Sequence, residues 1–477
     1  MHGRWPRRWL LGSLAAAALA AAPAALGAAP DGNVEWNGLS HMPWLDRAPR
    51  CPVDGQPFTV SFQSYADDLT SARVRVDAGG VVWVDASRTG ARGPYDVWTA
   101  QVPATAATQL SYWFEVTDGA DTDYLGPSGV SDGAPASGFA IDYSTYGHTP
   151  LGATALPGGG AVFRVWSPTR TVAHVRGQFN GWGTGNPMTK TGEFFAARVP
   201  AASPGQMYKY YFQNSVWNTD ARARRLNPGD NYNAVIVDPG AYDWQVEDFD
   251  VPDFEEMVVY QLHVGTFAGR NDPYGSAPFP AGFPEVEARA DHLVELGVNC
   301  VMFCPFTEFP WDYSAGYNPI TAWTPESAYG TPDEVKAMVD ALHARGIAVI
   351  HDIVWNHFSY SDNFLWNYDG TQIYFDDPAV QTPWGSQADF DRGAVRDYFV
   401  ESAFSWLDEY RMDGFRMDAT GYMNIPPQEA SGWSLMQRLN DDMDRRCVDK
   451  ICIAEQLPDN AWVTRPTSLG GAGFDSQ

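Results

Sequence analysis

In the last third of the chain, three apolar runs each lead into ionisable side chains. Residues 347–353 run through Asp352 into Asn356 and His357, residues 412–417 end at Asp418, and residues 450–454 end at Glu455. Arg416 and Asp418 are two apart, so on a strand they point to the same side. A guanidinium beside a carboxylate keeps that carboxylate ionised, as a carboxylate nucleophile requires. Glu455 follows Ile451-Cys-Ile-Ala454, where partial desolvation would favour the protonated form that a general acid needs. Neighbouring strands lie roughly 4.8 Å apart. If the second and third runs are neighbours, their carboxyl groups fall about 5–5.5 Å apart, the separation of a retaining double displacement at a sugar carbon.

The elements that must hold these groups are legible from position 257 onward. Apolar runs at 258–264, 298–305, 347–353, 412–417 and 450–455 alternate with helix-period stretches at 286–296, 332–345, 395–410 and 432–446. Thr331 before Pro332, with Glu334 following, is a helix start, and Gly346 is a stop. Strands buried on both faces and separated by helices imply a parallel β/α architecture. In a barrel of that kind the C-terminal strand ends carry the chemistry.

Upstream the grammar is different. Residues 28–57 are rich in Pro and Gly and read as linker. Period-two alternation at 58–62, 72–76, 81–84 and 110–116 predicts an antiparallel sandwich, closed by the polar stretch 126–138. A second β-rich unit has strands at 161–166, 171–176, 193–199 and 207–212.

In that second unit, Phe163-Arg-Val-Trp-Ser-Pro168, Phe179-Asn-Gly-Trp182 and Tyr208-Lys-Tyr-Tyr-Phe212 are similar to carbohydrate-binding modules of family 48. The resemblance implies that Trp182 and Trp217 stack on glucan, a place in the core or at a domain interface being the alternative. The three strand-end stretches resemble glycoside hydrolase family 13, the α-amylase family. The texts WDYSAGYNP, PESAYGTPDEVK, QTPWG and WLDEYRMDGFRMDAT bring the chain nearest to branching enzymes and trehalohydrolases. Residue by residue, that resemblance implies Asp418 as nucleophile and Glu455 as general acid/base. Arg416 would hold Asp418, and Asp352 would support Arg416. His357 would hydrogen-bond the sugar at the cleaved bond, Asn356 would shape the adjoining loop, and Tyr317 would stack on the same sugar. No cofactor or metal is expected, although Asn356 has a calcium-ligand counterpart in true α-amylases. Tyr260 and His263 on the first strand either reach the site or belong to the core.

Acids outnumber bases 58 to 31, for a net charge of −27. Such a surface repels nucleic-acid backbones and anionic lipid. The 19 Trp and 22 Tyr suit flat, uncharged faces such as sugar rings. Arg4, Arg7 and Arg8 ahead of the apolar stretch 9–22 read as an export signal cleaved near position 27, giving a secreted or periplasmic protein with no membrane partner. The five cysteines read as small buried hydrophobes, with a Cys447–Cys452 bridge as an alternative.

The expected whole is multidomain. A signal peptide (1–27) precedes two β-sandwich domains (28–145 and a family 48-like module, 146–250) and a truncated (β/α)8 TIM barrel (251–477). The stretch 470–477 would lead into a sixth strand, and the Asn-His-Asp region of the family's seventh strand is absent. The sequence is therefore expected to be the front part of a longer product, aggregating or nearly inactive by itself. The expected function is hydrolysis of α-glucosidic bonds in starch- or glycogen-like polysaccharide. Branching transfer, maltooligosyl-trehalose hydrolysis and a non-catalytic glucan-binding role are the alternatives.

Overall fold

The computed structural model describes residues 31–269 and 278–477, so the export signal read at 1–27 lies outside the described residues. The described chain falls into two compact units, 31–165 with 188–202, and 166–187 with 203–477. The stretch 146–250 is thus divided between them.

In the first unit, strands run in the order Arg47–Ala48, Phe58–Tyr65, Tyr95–Val102, Val81–Arg92, Ser71–Asp77, Gln109–Asp118, Asp121–Gly126 and Gly129–Ser131. Phe139–Asp142 adds antiparallel to Gln109–Asp118. The long strand Val81–Arg92 pairs with a different neighbour at each end, and its register shifts between Arg88 and Gly90. A bulge of this kind bends a strand. The two halves close over one core, in which Phe62 meets Phe114 with ring centroids 4.9 Å apart.

The linker reading of 28–57 is corrected here. Ser40 bridges Gln63, and Arg47–Ala48 pairs with Val60 and Thr59. Arg47 is buried and donates to the Tyr112 hydroxyl at 2.7 Å. The 126–138 stretch does not close the domain either, because Gly129–Ser131 and Phe139–Asp142 both join the sheet. Gly and Pro in these segments set turns, and the burial of polar side chains such as Arg47 is invisible to hydropathy. The same unit holds a four-stranded sheet of Gly152–Ala155, Ala161–Trp166, Phe194–Val199 and Thr189–Thr191.

The second unit contains a sheet in which Ala173–Gly177 pairs antiparallel with Met207–Phe212, joined by Val216–Asn218, Asn233–Val235 and Leu226–Asn227. It also contains a parallel sheet of Val259–Leu262, Cys300–Phe303, Ala348–Ile353, Gly414–Met417 and Ile451–Ala454, paired in sequence order. Ser476 forms a further parallel bridge to Ile453. Helices Pro332–His343, Gly393–Asp408 and Glu429–Arg446 separate these strands, whereas the stretch 286–296 is two short helices, Phe283–Glu287 and Ala290–Glu295. Thr331 caps its helix, accepting from the Glu334 amide while the Glu334 carboxylate takes the Thr331 amide. None of the five cysteines is in a disulfide, so no Cys447–Cys452 bridge forms.

Two buried polar residues on this sheet carry predictions. Asp413, fully buried, accepts from Lys450 at 2.6 Å, from the Val349 amide at 2.8 Å and from His343 Nε2 at 2.7 Å. Burial pushes its carboxyl up, but Lys450 and His343 outweigh that and hold it below the ordinary value. A depressed carboxyl stabilises the fold above its unfolded pKa, and that stabilisation is lost as pH falls through the folded one. Asp413→Asn should therefore cost about 3 kcal/mol near neutrality, and the gap should shrink in acid. Denaturant melts at pH 7 and pH 3 read both; a pH-independent gap would contradict the assignment.

His351 points away from its neighbour Asp352 and is packed between Phe306 and Trp406, at 4.2 and 4.6 Å between ring centroids. Neither ring nitrogen has a hydrogen-bond partner among the described residues, and burial lowers its pKa to about 3. An unsatisfied buried polar group costs about 1–3 kcal/mol. His351→Leu should consequently raise Tm by a few degrees, and a fall in Tm would show that the ring contacts matter more.

Candidate active site

Register explains how the site forms. Asp352 and Arg416 are partners across neighbouring parallel strands, so their side chains share a side. Arg416 Nη1 donates to Asp352 Oδ1 and Oδ2 at 2.9 and 2.7 Å, and to Asp418 Oδ1 at 2.9 Å. Its Nη2 reaches Glu455 Oε2 at 2.7 Å. One guanidinium therefore gathers three carboxylates from the ends of three successive strands.

The chain then turns sharply. Ala419 takes a left-handed conformation, φ +43°, which directs its amide to Glu455 Oε2 at 2.9 Å. The Thr420 amide and hydroxyl both donate to the Glu455 carbonyl, at 2.9 and 2.8 Å. Strand five is thereby tied to strand four at the level of the two acids.

The two acids differ in burial. Asp418 is the enclosed member, with an 11% exposed side chain, whereas Glu455 is 36% exposed because it sits just past the buried run that precedes it. Burial pushes the Asp418 carboxyl above its ordinary value, Asn356 and Arg416 oppose this, and the nearby Glu455 adds to the rise. Arg416 thus restrains the shift without cancelling it. Burial lifts Asp352 to about 7 against the pull of Arg416.

The supporting residues are more closely engaged than their spacing suggested. Asn356 does more than shape a loop: its Nδ2 donates to the Asp418 carbonyl and to Oδ2, both at 2.9 Å. His357 is buried, with Nε2 3.0 Å from the Tyr317 carbonyl and Nδ1 2.5 Å from Asn356 Oδ1. Both ring nitrogens face protein oxygens, and the contact of the one that carries the proton seats the ring against the loop. Tyr317 donates its hydroxyl to Asp352 Oδ2 at 2.9 Å, and the Arg416 guanidinium lies 5.6 Å from its ring centre. Gly316 makes that placement possible: it has φ +93°, and a Cβ there would collide with the Pro305 carbonyl. His263 turns to the Ser314 carbonyl, and Tyr260 packs at 6.4 Å from Phe267. Asn356 spends its amide on Asp418 and His357, and no metal-holding cluster of His, Cys, Asp or Glu occurs among the described residues.

Trp384 was missed, although it lies in the quoted QTPWG text. It is half exposed, 5.7 Å from the His357 ring and 4.9 Å from Tyr422. The turn that carries it packs Gly385 against the Phe358 carbonyl, where a Cβ would collide, a contact that no spacing rule reveals. In the same unit, Trp182 and Trp217 lie 6.4 Å apart at 47°, and Arg176 covers Trp217 at 4.8 Å. Trp217 is exposed, as a stacking platform requires.

Two family models match this sequence: carbohydrate-binding module 48 (isoamylase N-terminal domain) over residues 150–241, and the α-amylase catalytic domain over residues 285–372. The second match takes in Tyr317, Asp352, Asn356 and His357 of the site just described. Residues 285–372 thus match the catalytic domain of the α-amylase family, and the chain is of the glycoside hydrolase family 13 type. Among its relatives, the 1,4-α-glucan branching enzyme GlgB of Salinibacter ruber is 30% identical over 357 residues, covering 66% of this chain and 56% of that one. The malto-oligosyltrehalose trehalohydrolase of Deinococcus radiodurans is 34% identical over 276 residues, covering 58% and 43%. A crystal structure of a candidate α-amylase from Salmonella typhimurium superposes with a TM-score of 0.55 at 29% identity, covering 64% of this chain and 49% of that one. The chain spans about half the length of the curated relatives it matches.

Proposed function

We propose that this chain supplies the catalytic centre of a secreted, retaining enzyme acting on α-glucans such as starch or glycogen. The observation that carries the reading is the single Arg416 guanidinium holding both Asp418 and Glu455 at the ends of adjacent parallel strands. Asp418 Oδ attacks the anomeric carbon while Glu455, the more exposed acid, gives its proton to the departing glycosidic oxygen. Glu455 then takes a proton from water or from a sugar hydroxyl, whose oxygen displaces Asp418 and restores the α configuration. The parallel sheet is read as the front of a (β/α)8 barrel, supported by its in-order pairing and by Ser476 beside the fifth strand. Export is supported by the basic and apolar text of residues 4–22.

Hydrolysis and transfer share the glycosyl-enzyme intermediate. The branching-enzyme relatives favour transfer as the second reading, and the trehalohydrolase relative favours release of trehalose. Product chromatography on amylose, amylopectin and maltooligosyl-trehalose separates them. Short maltooligosaccharides are expected; new α-1,6 branch points or free trehalose would replace that reading, and glycogen binding without Asp418-dependent product would leave a binding protein.

A further inference from the structure

Within the first unit, a cavity of about 340 Å³ opens where residues 105–108, the turn 143–146 and Arg198 meet. That volume lies at the low end of ligand pockets, roughly 300–1,000 Å³. Tyr143 and Tyr146 give it two buried aromatic walls. The turn that carries them is fixed in advance. The Asp142 carboxylate accepts from the Ser144 amide at 2.8 Å and from the Thr145 amide and hydroxyl at 3.3 and 2.9 Å. Tyr146 is held at φ +53°, a left-handed conformation unusual for a bulky side chain. Backbone strain of this sort persists where the surroundings over-determine it, and it clusters at ligand sites.

The polar groups converge on one point. Arg198 Nη1 donates to the Tyr146 hydroxyl at 2.8 Å and to Asp54 Oδ1 at 2.9 Å, and the same hydroxyl donates to Asp54 Oδ1 at 3.1 Å. The Arg198 and Asp54 side chains are 38% and 60% exposed, and an exposed pair of this kind adds little to stability. Its charges cancel, so neither an anion nor a cation is favoured. A polyol is different, because adjacent hydroxyls can give to Asp54 and accept from Arg198.

We propose that this cavity is a glucan-binding subsite separate from both the catalytic acids and the Trp182–Trp217 pair, taking the end of a neutral α-glucan chain. The choice of an α-linked glucan rests on the function proposed above; the polyol chemistry does not. The test is calorimetric titration of maltoheptaose into the whole chain carrying Asp418→Asn, Trp182→Ala and Trp217→Ala. Adding Asp54→Ala and Arg198→Ala should weaken the remaining binding roughly tenfold and remove one site from the stoichiometry. Tyr146→Phe keeps the ring and loses the shared hydroxyl, so it should give a smaller loss; it also serves as the reading if the double variant fails to fold. An isotherm unchanged by either set overturns the proposal. Turnover of amylose by the parent chain is read separately. Turnover with an insensitive isotherm defeats only the cavity, and a sensitive isotherm without turnover defeats only the enzymatic reading.

Discussion

Asp418→Asn should lower α-glucan turnover by a factor on the order of 10⁴ or more relative to the parent protein, as loss of a covalent nucleophile does in other enzymes. The same change should leave Tm unaltered or raise it. Asp418 has its carboxyl raised in the fold, first by burial and also by Glu455. A carboxyl raised on folding costs stability as pH climbs past its unfolded pKa, and the amide removes that cost while keeping the shape. The parent's pH profile follows from the same direction. Asp418 must be ionised to attack, so the acid limb of kcat/KM should lie above the ordinary carboxylate range, with the rate rising with pH through it. Initial rates across pH together with thermal melts check this. A variant that keeps more than about one-hundredth of the activity would contradict the nucleophile assignment.

Arg416→Ala should be the most damaging single change to the fold of the site. The guanidinium is 13% exposed and serves Asp352, Asp418 and Glu455 together. Its removal leaves two enclosed carboxylates and a third beside them without a counter-charge. Breaking a buried ion pair from one side costs about 3–5 kcal/mol, and activity should disappear with it. The sign of the pH dependence is fixed. Without the cation the Asp352 and Asp418 carboxyls titrate higher, so the variant loses least where they are protonated and most where they are charged. Tm measured from pH 5 to pH 8 should therefore diverge from the parent as pH rises. Arg416→Lys should recover only part of the loss, because an ammonium lacks the planar fork that contacts several acids at once. A small, pH-independent loss would show that the acids find other partners.

Much of this arrangement was readable from spacing. The two-residue interval between Arg416 and Asp418 places them on one side of a strand whatever the tertiary structure, and the parallel order of the strands follows from the alternation with helices. Contacts between distant segments were not readable. Asn356 reaches Asp418 across 62 residues, and its amide could have turned elsewhere. The relative burial of the two acids was not readable for a local reason: the apolar run Ile451–Ala454 is largely buried, but Glu455 lies one residue beyond, where the strand emerges. In the first unit, composition hid structure. The segment around His41 and Arg47 mixes polar and apolar residues without a strand period, yet it joins the sheet because its polar side chains find partners such as the Tyr112 hydroxyl inside the core. Hydropathy counts those side chains as surface, and only the partner makes them core.

The most direct measurement is to trap the covalent intermediate. The protein is incubated with a fluorinated α-glucosyl fluoride that forms the glycosyl-enzyme quickly and releases it slowly, and the digested peptides are then weighed. One added glycosyl group on Asp418, released still more slowly in Glu455→Gln because fluoride departs without an acid whereas water needs the base, is the expected result. A glycosyl group on any other residue, or product of inverted anomeric configuration released with no adduct, would contradict the assignment of Asp418 and Glu455 as a retaining pair.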